Sequence, residues 1–273
     1  FVYEKFRSTM YGVKLLDGLK AFSPDRIVMG CRYSALAQKV IALLRYHIFP
    51  LRHFYLIRHS EKFVSRHLRP SLVRVGAFVT DFIFAIWRSL LSLMAWVRTH
   101  EVSIRIMELS DSEGLKKIED VVASDTHRFR EDITANWLKW VVGNDFCEGA
   151  RKKLYGYYRE DRLIGFALVR CMADGKGKGE LLEWQFVPDY RGKEAHLILR
   201  SLIKLVAHCD FAMLMFDAEN AELNNIFKRK LVRRKDDLAA LYVAPDSPLR
   251  RHLGYEEARN WRIRPALGDS CFW

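Results

Sequence analysis

Two stretches of this sequence, one at its start and one near its end, run through the same series of features at nearly the same spacing. The first is Phe1-Val2, Phe6-Arg7, an apolar helical run to Phe22, a short strand at Arg26–Met29 and a helix from Ser34. The second is Phe186-Val187, Tyr190-Arg191, a helical run to Val206, a strand at Phe211–Phe216 and a helix from about Asn220. From Arg7 to Ser34 is 27 residues and from Arg191 to Asn220 is 29, which sets a period of roughly 184 residues. A repeat that long points to two copies of one α/β unit, the first of them cut short. The sequence opens without Met, and Phe1-Val2 reads as the tail of a strand, so a fragment of a longer chain is expected.

The 273 residues suffice for one large or two ordinary domains, and an apolar share of 50% with 29% charged residues is ordinary for a folded protein. Five scattered cysteines, with no metal-like spacing among them, fit a reduced, cytoplasmic setting and no metal. The net charge of +12 is concentrated in the first 100 residues, which hold 16 Lys/Arg against 5 Asp/Glu. Most of that excess lies in Arg45–Arg74, where Glu61 is the single acid and four histidines are interspersed. Such a stretch suits an anionic lipid surface, a phosphorylated ligand or nucleic acid, or is a solvated basic surface. No nucleic-acid-binding motif accompanies it.

Three segments are expected: a partial repeat over 1–70, an apolar connecting helix over 71–100 and a second repeat unit over 101–273. Ser34–Tyr46 has helical apolar spacing, Pro50 is expected to break the chain, and His53–Arg58 alternates as a strand does. Ser71–Val97 is almost wholly apolar, with Arg74, Asp81 and Arg88 seven apart and therefore on one stripe of a helix. Its longest uncharged stretch, Ser89–Val97, is too short for a bilayer span, so a helix buried between the two halves is expected. In the second unit, Ile104–Leu109 is a strand, and Ser110 with Glu113 forms a capping-box pattern before a helix. A helix over Ile133–Val142 follows, then a hairpin of Leu154–Arg159 and Leu163–Met172 about Glu160-Asp161. Strand Glu180–Val187, helix Gly192–Val206, strand Phe211–Phe216, helix Asn220–Leu231 and strand Leu238–Val243 complete the pattern, and Trp261–Arg264 is expected to be a last strand. The fold class is therefore α/β (α+β), a mixed sheet flanked by helices.

This order resembles the GCN5-related N-acetyltransferase superfamily of acyl-CoA N-acyltransferases, and more narrowly its tandem members. The points of contact are Arg130-x-Asp132…Asn136-Trp137, the turn Arg162-Leu163-Ile164-Gly165, and Phe186-Val187-x-Asp189-Tyr190-Arg191 leading into the central helix. The resemblance implies acetyl-CoA or another acyl-CoA as co-substrate and a small amine as acceptor. An amino sugar in polysaccharide assembly is one such acceptor. It implies a loop, Arg/Gln-x-x-Gly-x-Gly/Ala, whose amides at a helix N-terminus hold the coenzyme's pyrophosphate. The first copy reads Arg7-Ser8-Thr9-Met10-Tyr11-Gly12, with Val13 next, and keeps Gly12. The second reads Arg191-Gly192-Lys193-Glu194-Ala195-His196 and places a carboxylate where phosphate would sit. Coenzyme binding is therefore expected at Arg7–Val13.

Acyl transfer to an amine also needs a base, an amide N–H to hold the thioester oxygen and an acid for the leaving thiolate. Glu180 and Glu183 are the candidate bases; three apart on one strand, they are expected on opposite faces. The family's thiolate-protonating Tyr corresponds to Phe227 in the second copy and Ile41 in the first, neither of which can donate a proton. The alternative is a catalytically degenerate relative that serves as a binding or scaffold module. Glu119-Asp120, Asp125 and His127 resemble metal ligands only by residue type, and Trp137 and Trp140 read as core packing. The apolar helix is expected to drive self-association first and docking on an anionic membrane surface second, peripheral to the membrane.

Overall fold

The computed structural model describes residues 27–31, 46–65, 67–125, 133–143, 149–172, 174–217, 220–234 and 237–243. The helix expected over Ser34–Tyr46 and the strand over Trp261–Arg264 lie outside them, apart from Tyr46 itself. The strands are β1 (Ile27–Cys31), β2 (His47–Ile57), β3 (Val102–Met107), β4 (Ala150–Arg159), β5 (Arg162–Met172), β6 (Lys178–Phe186), β7 (Phe211–Asp217), β8 (Val232–Arg233) and β9 (Asp237–Val243). The helices are α1 (Glu61–Val64), α2 (Pro70–Thr99), α3 (Ser112–Ala123), α4 (Ala135–Gly143), α5 (Glu194–Val206) and α6 (Ala221–Phe227), with a 3₁₀ turn over Pro188–Lys193 leading into α5.

All nine described strands join one sheet in the order β1-β9-β2-β7-β6-β5-β4-β3, with β8 also paired to β2. Every pairing is antiparallel except β6 with β7. A separate, incomplete sheet for the N-terminal copy does not form among the described residues. Instead β2 enters the middle of the sheet, pairing Leu51–Ile57 with β7 and His47–Leu51 with β9. Pro50 does not break this strand. It lies where β2 has β9 as partner but has not yet met β7, and a residue without an amide hydrogen is tolerated beside an open ladder.

Two apolar layers sandwich the sheet. On one face α5 buries Leu197, Ile198, Leu202 and Leu205 against Phe54, Leu214 and Trp184, and α2 adds Leu91 and Ala95. On the other, α3 and α4 pack Leu115, Ile118, Leu138 and Val141 against Phe166, Leu168 and Leu182. The cap of α3 is Asp111 rather than Ser110: its carboxylate accepts from the Gly114 amide at 2.8 Å, while the Ser110 hydroxyl donates to Glu108. The short, ionised Asp side chain reaches the free amides directly and also complements the helix dipole. The Glu119 carboxylate accepts from the Ala135 amide at 2.7 Å and so ties α3 to the start of α4, while His127 lies outside the described residues. Leu138 and Val141 are buried, but Trp140, expected in the core, is exposed, because it sits on the outer side of a short helix.

The hairpin of β4 and β5 turns at Glu160, which adopts a left-handed φ of 54°. Gly165, just past that turn, lies where a side chain would fall 2.6 Å from the Gln185 carbonyl oxygen and against the Phe186 ring. Gly165→Ala is therefore expected to lower stability by about 1–3 kcal/mol. The readout is a lower urea midpoint with an unchanged slope.

Candidate active site

β6 and β7 pair over only four residues, Lys178–Leu181 against Phe211–Leu214, and then part. The cause is one extra residue in β6. Val169 of β5 faces Leu181 and Leu168 faces Glu183, so Leu182 has no partner of its own. A bulge of this kind bends the strand and increases its twist, which carries the end of β6 away from β7. Trp184, just past the bulge and 1% exposed, packs in the same apolar layer as α5.

The bulge also corrects the expected placement of Glu180 and Glu183. Their partners on β5 are Arg170 and Leu168, two apart, so both carboxylates lie on the same face of the sheet. Their environments differ. Glu180 is fully buried; one oxygen accepts from the Arg170 guanidinium and the other faces Lys178 Nζ at 2.6 Å. Glu183 is also buried, and its Oε1 accepts from the backbone amide of Trp184 at 2.9 Å. A candidate base and a strand amide just past the bulge thus share one hydrogen bond. Gln185, next on that face, donates through Nε2 to the carbonyls of Val121 and Val122 at 2.8 and 3.3 Å, satisfying the end of α3. Sequence reasoning passed over Gln185, since an amide in an apolar strand carries no motif.

The start of α5 is where the second copy would hold a pyrophosphate. Its charged groups already have partners within the protein. Glu194 Oε1 accepts from the Trp184 indole at 2.9 Å. Lys193 Nζ pairs with Glu101, and that bond holds the Glu101 carboxyl below the usual range. Gly192 leaves open space around it, but a carboxylate at this helix end opposes a second anion. These residues do not fit a bound pyrophosphate. The alternative loop, Arg7–Val13, lies outside the described residues.

The position expected for a thiolate-protonating Tyr is part of the core. Asn220 caps α6, its side chain accepting from the Leu223 amide at 3.1 Å. Phe227, seven residues on, is fully buried with its ring 6.1 Å from those of Phe54 and Phe216. His196 lies on α5, where burial first, and then Lys230 and Arg98, push its pKa down and favour the neutral ring. His208 falls beyond the end of that helix, so the two histidines form no pair.

Solved structures share this architecture at low sequence identity. A GCN5-related N-acetyltransferase from Anabaena variabilis ATCC 29413 matches with a TM-score of 0.51 and 9% identity, over 89% of this chain and 53% of that one. A tandem GNAT protein from the clavulanic acid biosynthesis pathway matches with a TM-score of 0.52 and 11% identity, over 90% of this chain and 74% of its own. The chain thus spans about half the length of the Anabaena protein. No family model and no curated protein matches the sequence. The fold is that of the GCN5-related N-acetyltransferases, an acyltransferase fold.

The two carboxylates should respond differently to removal of charge. Glu180→Gln strands Arg170 and Lys178 beside a neutral group in the interior and is expected to cost about 3–5 kcal/mol. Glu183→Gln keeps an oxygen to accept the Trp184 amide and should cost about 1 kcal/mol or less. Chemical denaturation of the two variants side by side measures the contrast.

Proposed function

We propose that this protein is an acyl-CoA-dependent N-acyltransferase of the tandem type, in which the N-terminal copy holds the coenzyme and the C-terminal copy frames the amine. The observation that carries this reading is the filled helix end at Lys193-Glu194, set in a sheet whose β6 and β7 still part as an acyl-transfer cleft requires. The C-terminal copy keeps the cleft but not the phosphate site, which leaves Arg7–Val13 as the loop to hold acetyl-CoA or another acyl-CoA. Glu183 is the better candidate for the base. Glu180 is already neutralised by two cations, whereas Glu183 accepts from the Trp184 backbone amide, next to the point where β6 leaves β7. The acceptor class is a small amine, with an amino sugar in polysaccharide assembly as one instance.

A second reading, a non-catalytic binding or scaffold module, draws on Phe227, which puts a core ring where the acid would stand.

Thermal unfolding of the full chain with acetyl-CoA separates the two. Ligand at a hundredfold excess over its dissociation constant adds about 2.7 kcal/mol, so a rise of several degrees in Tm is expected. Arg7→Glu should abolish that rise and Lys193→Ala should leave it intact. No rise with any acyl-CoA would favour the scaffold reading. In an acyl-transfer assay, Glu183→Gln is expected to lower kcat by about 10²–10⁴-fold with KM for acyl-CoA little changed. An unaltered kcat would remove Glu183 from the reaction.

A further inference from the structure

α2 is inside out for a surface helix. Two of the three charges on its stripe turn toward the protein: Asp81 Oδ1 accepts from the Ser60 amide at 2.6 Å, and Arg88 Nη1 donates to the Ile57 carbonyl at 2.6 Å. The buried positions Ala77, Leu91, Ala95 and Thr99 lie on that same side, at the spacing of a helix face. The opposite half carries no charged residue from Ser71 to Val97, and its large apolar side chains stand in the open. Phe78 is 75% exposed, Val75 64%, Phe82 63%, Leu93 59% and Trp96 55%. The expected burial between two halves is therefore met on one side only. Such an apolar half-cylinder, about 45 Å long at 1.5 Å per residue and about 5 Å in radius, presents roughly 700 Å², above the range of patches that soluble monomers expose.

The breadth and the rim of this face indicate what covers it. A helical partner covers a seam of about two positions in seven, with charged flanks that set its register. Here Phe78, Trp87 and Trp96 extend the apolar face into the flanking positions. A fluid apolar phase covers the whole arc without matching its shape. The rim is basic: Arg69 and Arg74 are exposed at one end and Arg98 at the other. The turn 228–230, Lys-Arg-Lys, is held against the helix by the Trp87 indole, which donates to the Lys230 carbonyl at 2.9 Å. Asp81, the helix's acid, is turned inward. The helix is fixed lengthwise, since Arg200 Nη1 also donates to the Thr99 carbonyl at 2.8 Å, so it lies along a surface rather than crossing it.

We infer that α2 is an in-plane docking helix whose outward half seats the fold on an anionic lipid surface. Apolar burial supplies the attachment, and the basic rim selects acidic headgroups.

Sedimentation of the full chain with phosphatidylcholine vesicles, with and without phosphatidylglycerol, tests it. The protein should pellet with the phosphatidylglycerol vesicles and be released in part by high salt. Phe82→Glu with Ile86→Glu, both facing outward, should lower the partition coefficient by at least about tenfold while the circular dichroism spectrum is unchanged. Arg69→Glu with Arg74→Glu should erase the preference for phosphatidylglycerol. A protein that ignores both kinds of vesicle overturns the inference, as does a double glutamate variant that binds as the parent does. Light scattering that shows a dimer, lost in the glutamate variant and indifferent to vesicles, would assign the face to a second copy instead.

Discussion

The pairing of β2 with β7 is the interaction on which the rest of the molecule depends. β2 supplies Leu51 and Phe54 to the core and closes a ladder on each side, to β7 and to β9. Without it β7 would be an edge strand, and the parted β6 and β7 would have only their short parallel ladder to hold them. The same strand sets the position of α2. Arg88 is bonded to the last carbonyl of β2, and Asp81 to the amide of Ser60 just beyond it. The outward direction of the apolar arc follows from those two bonds, because fixing the charged stripe fixes its opposite.

The parting of β6 from β7 follows from a smaller cause. One unpaired residue, Leu182, both parts β6 from β7 and rotates Glu183 onto the face of Glu180. Two carboxylates close together on a buried face would repel, yet here they are handled separately. Glu180 is neutralised by a guanidinium and an ammonium, while Glu183 accepts from a backbone amide. At the head of α5 the logic is reversed: Glu194 and Lys193 turn to Trp184 and Glu101, and a helix end suited to anions is closed by the protein's own anion.

Local pattern made much of this legible in the sequence. The β4–β5 hairpin declares itself by alternation and the Glu160-Asp161 turn, and α2 by a long apolar run with charges spaced at seven. The resemblance in element order extends to the fold of the solved relatives. Non-local facts were not legible. Nothing within His47–Ile57 says that its partners lie beyond residue 210, so two sheets were expected where one forms. The bulge turns on the register between β5 and β6, and no residue type marks Leu182 as the one left over. The direction of the α2 stripe depends on Ile57 and Ser60, which bring no pattern of their own.

The central place of β2 has a consequence for synthesis. Arg58, at the end of that strand, meets Ala207 across 149 residues of sequence. At typical ribosomal rates, about 10–30 seconds pass between the emergence of β2 and that of its partner strand. Through that interval an apolar strand with both edges open is available to any other chain, which is the hazard that edge strands carry in general. Loop closure over so many residues is slow as well as late. Whatever shelters β2 in those seconds, an early surface or a chaperone, determines the yield of folded protein as surely as the packing of the finished core.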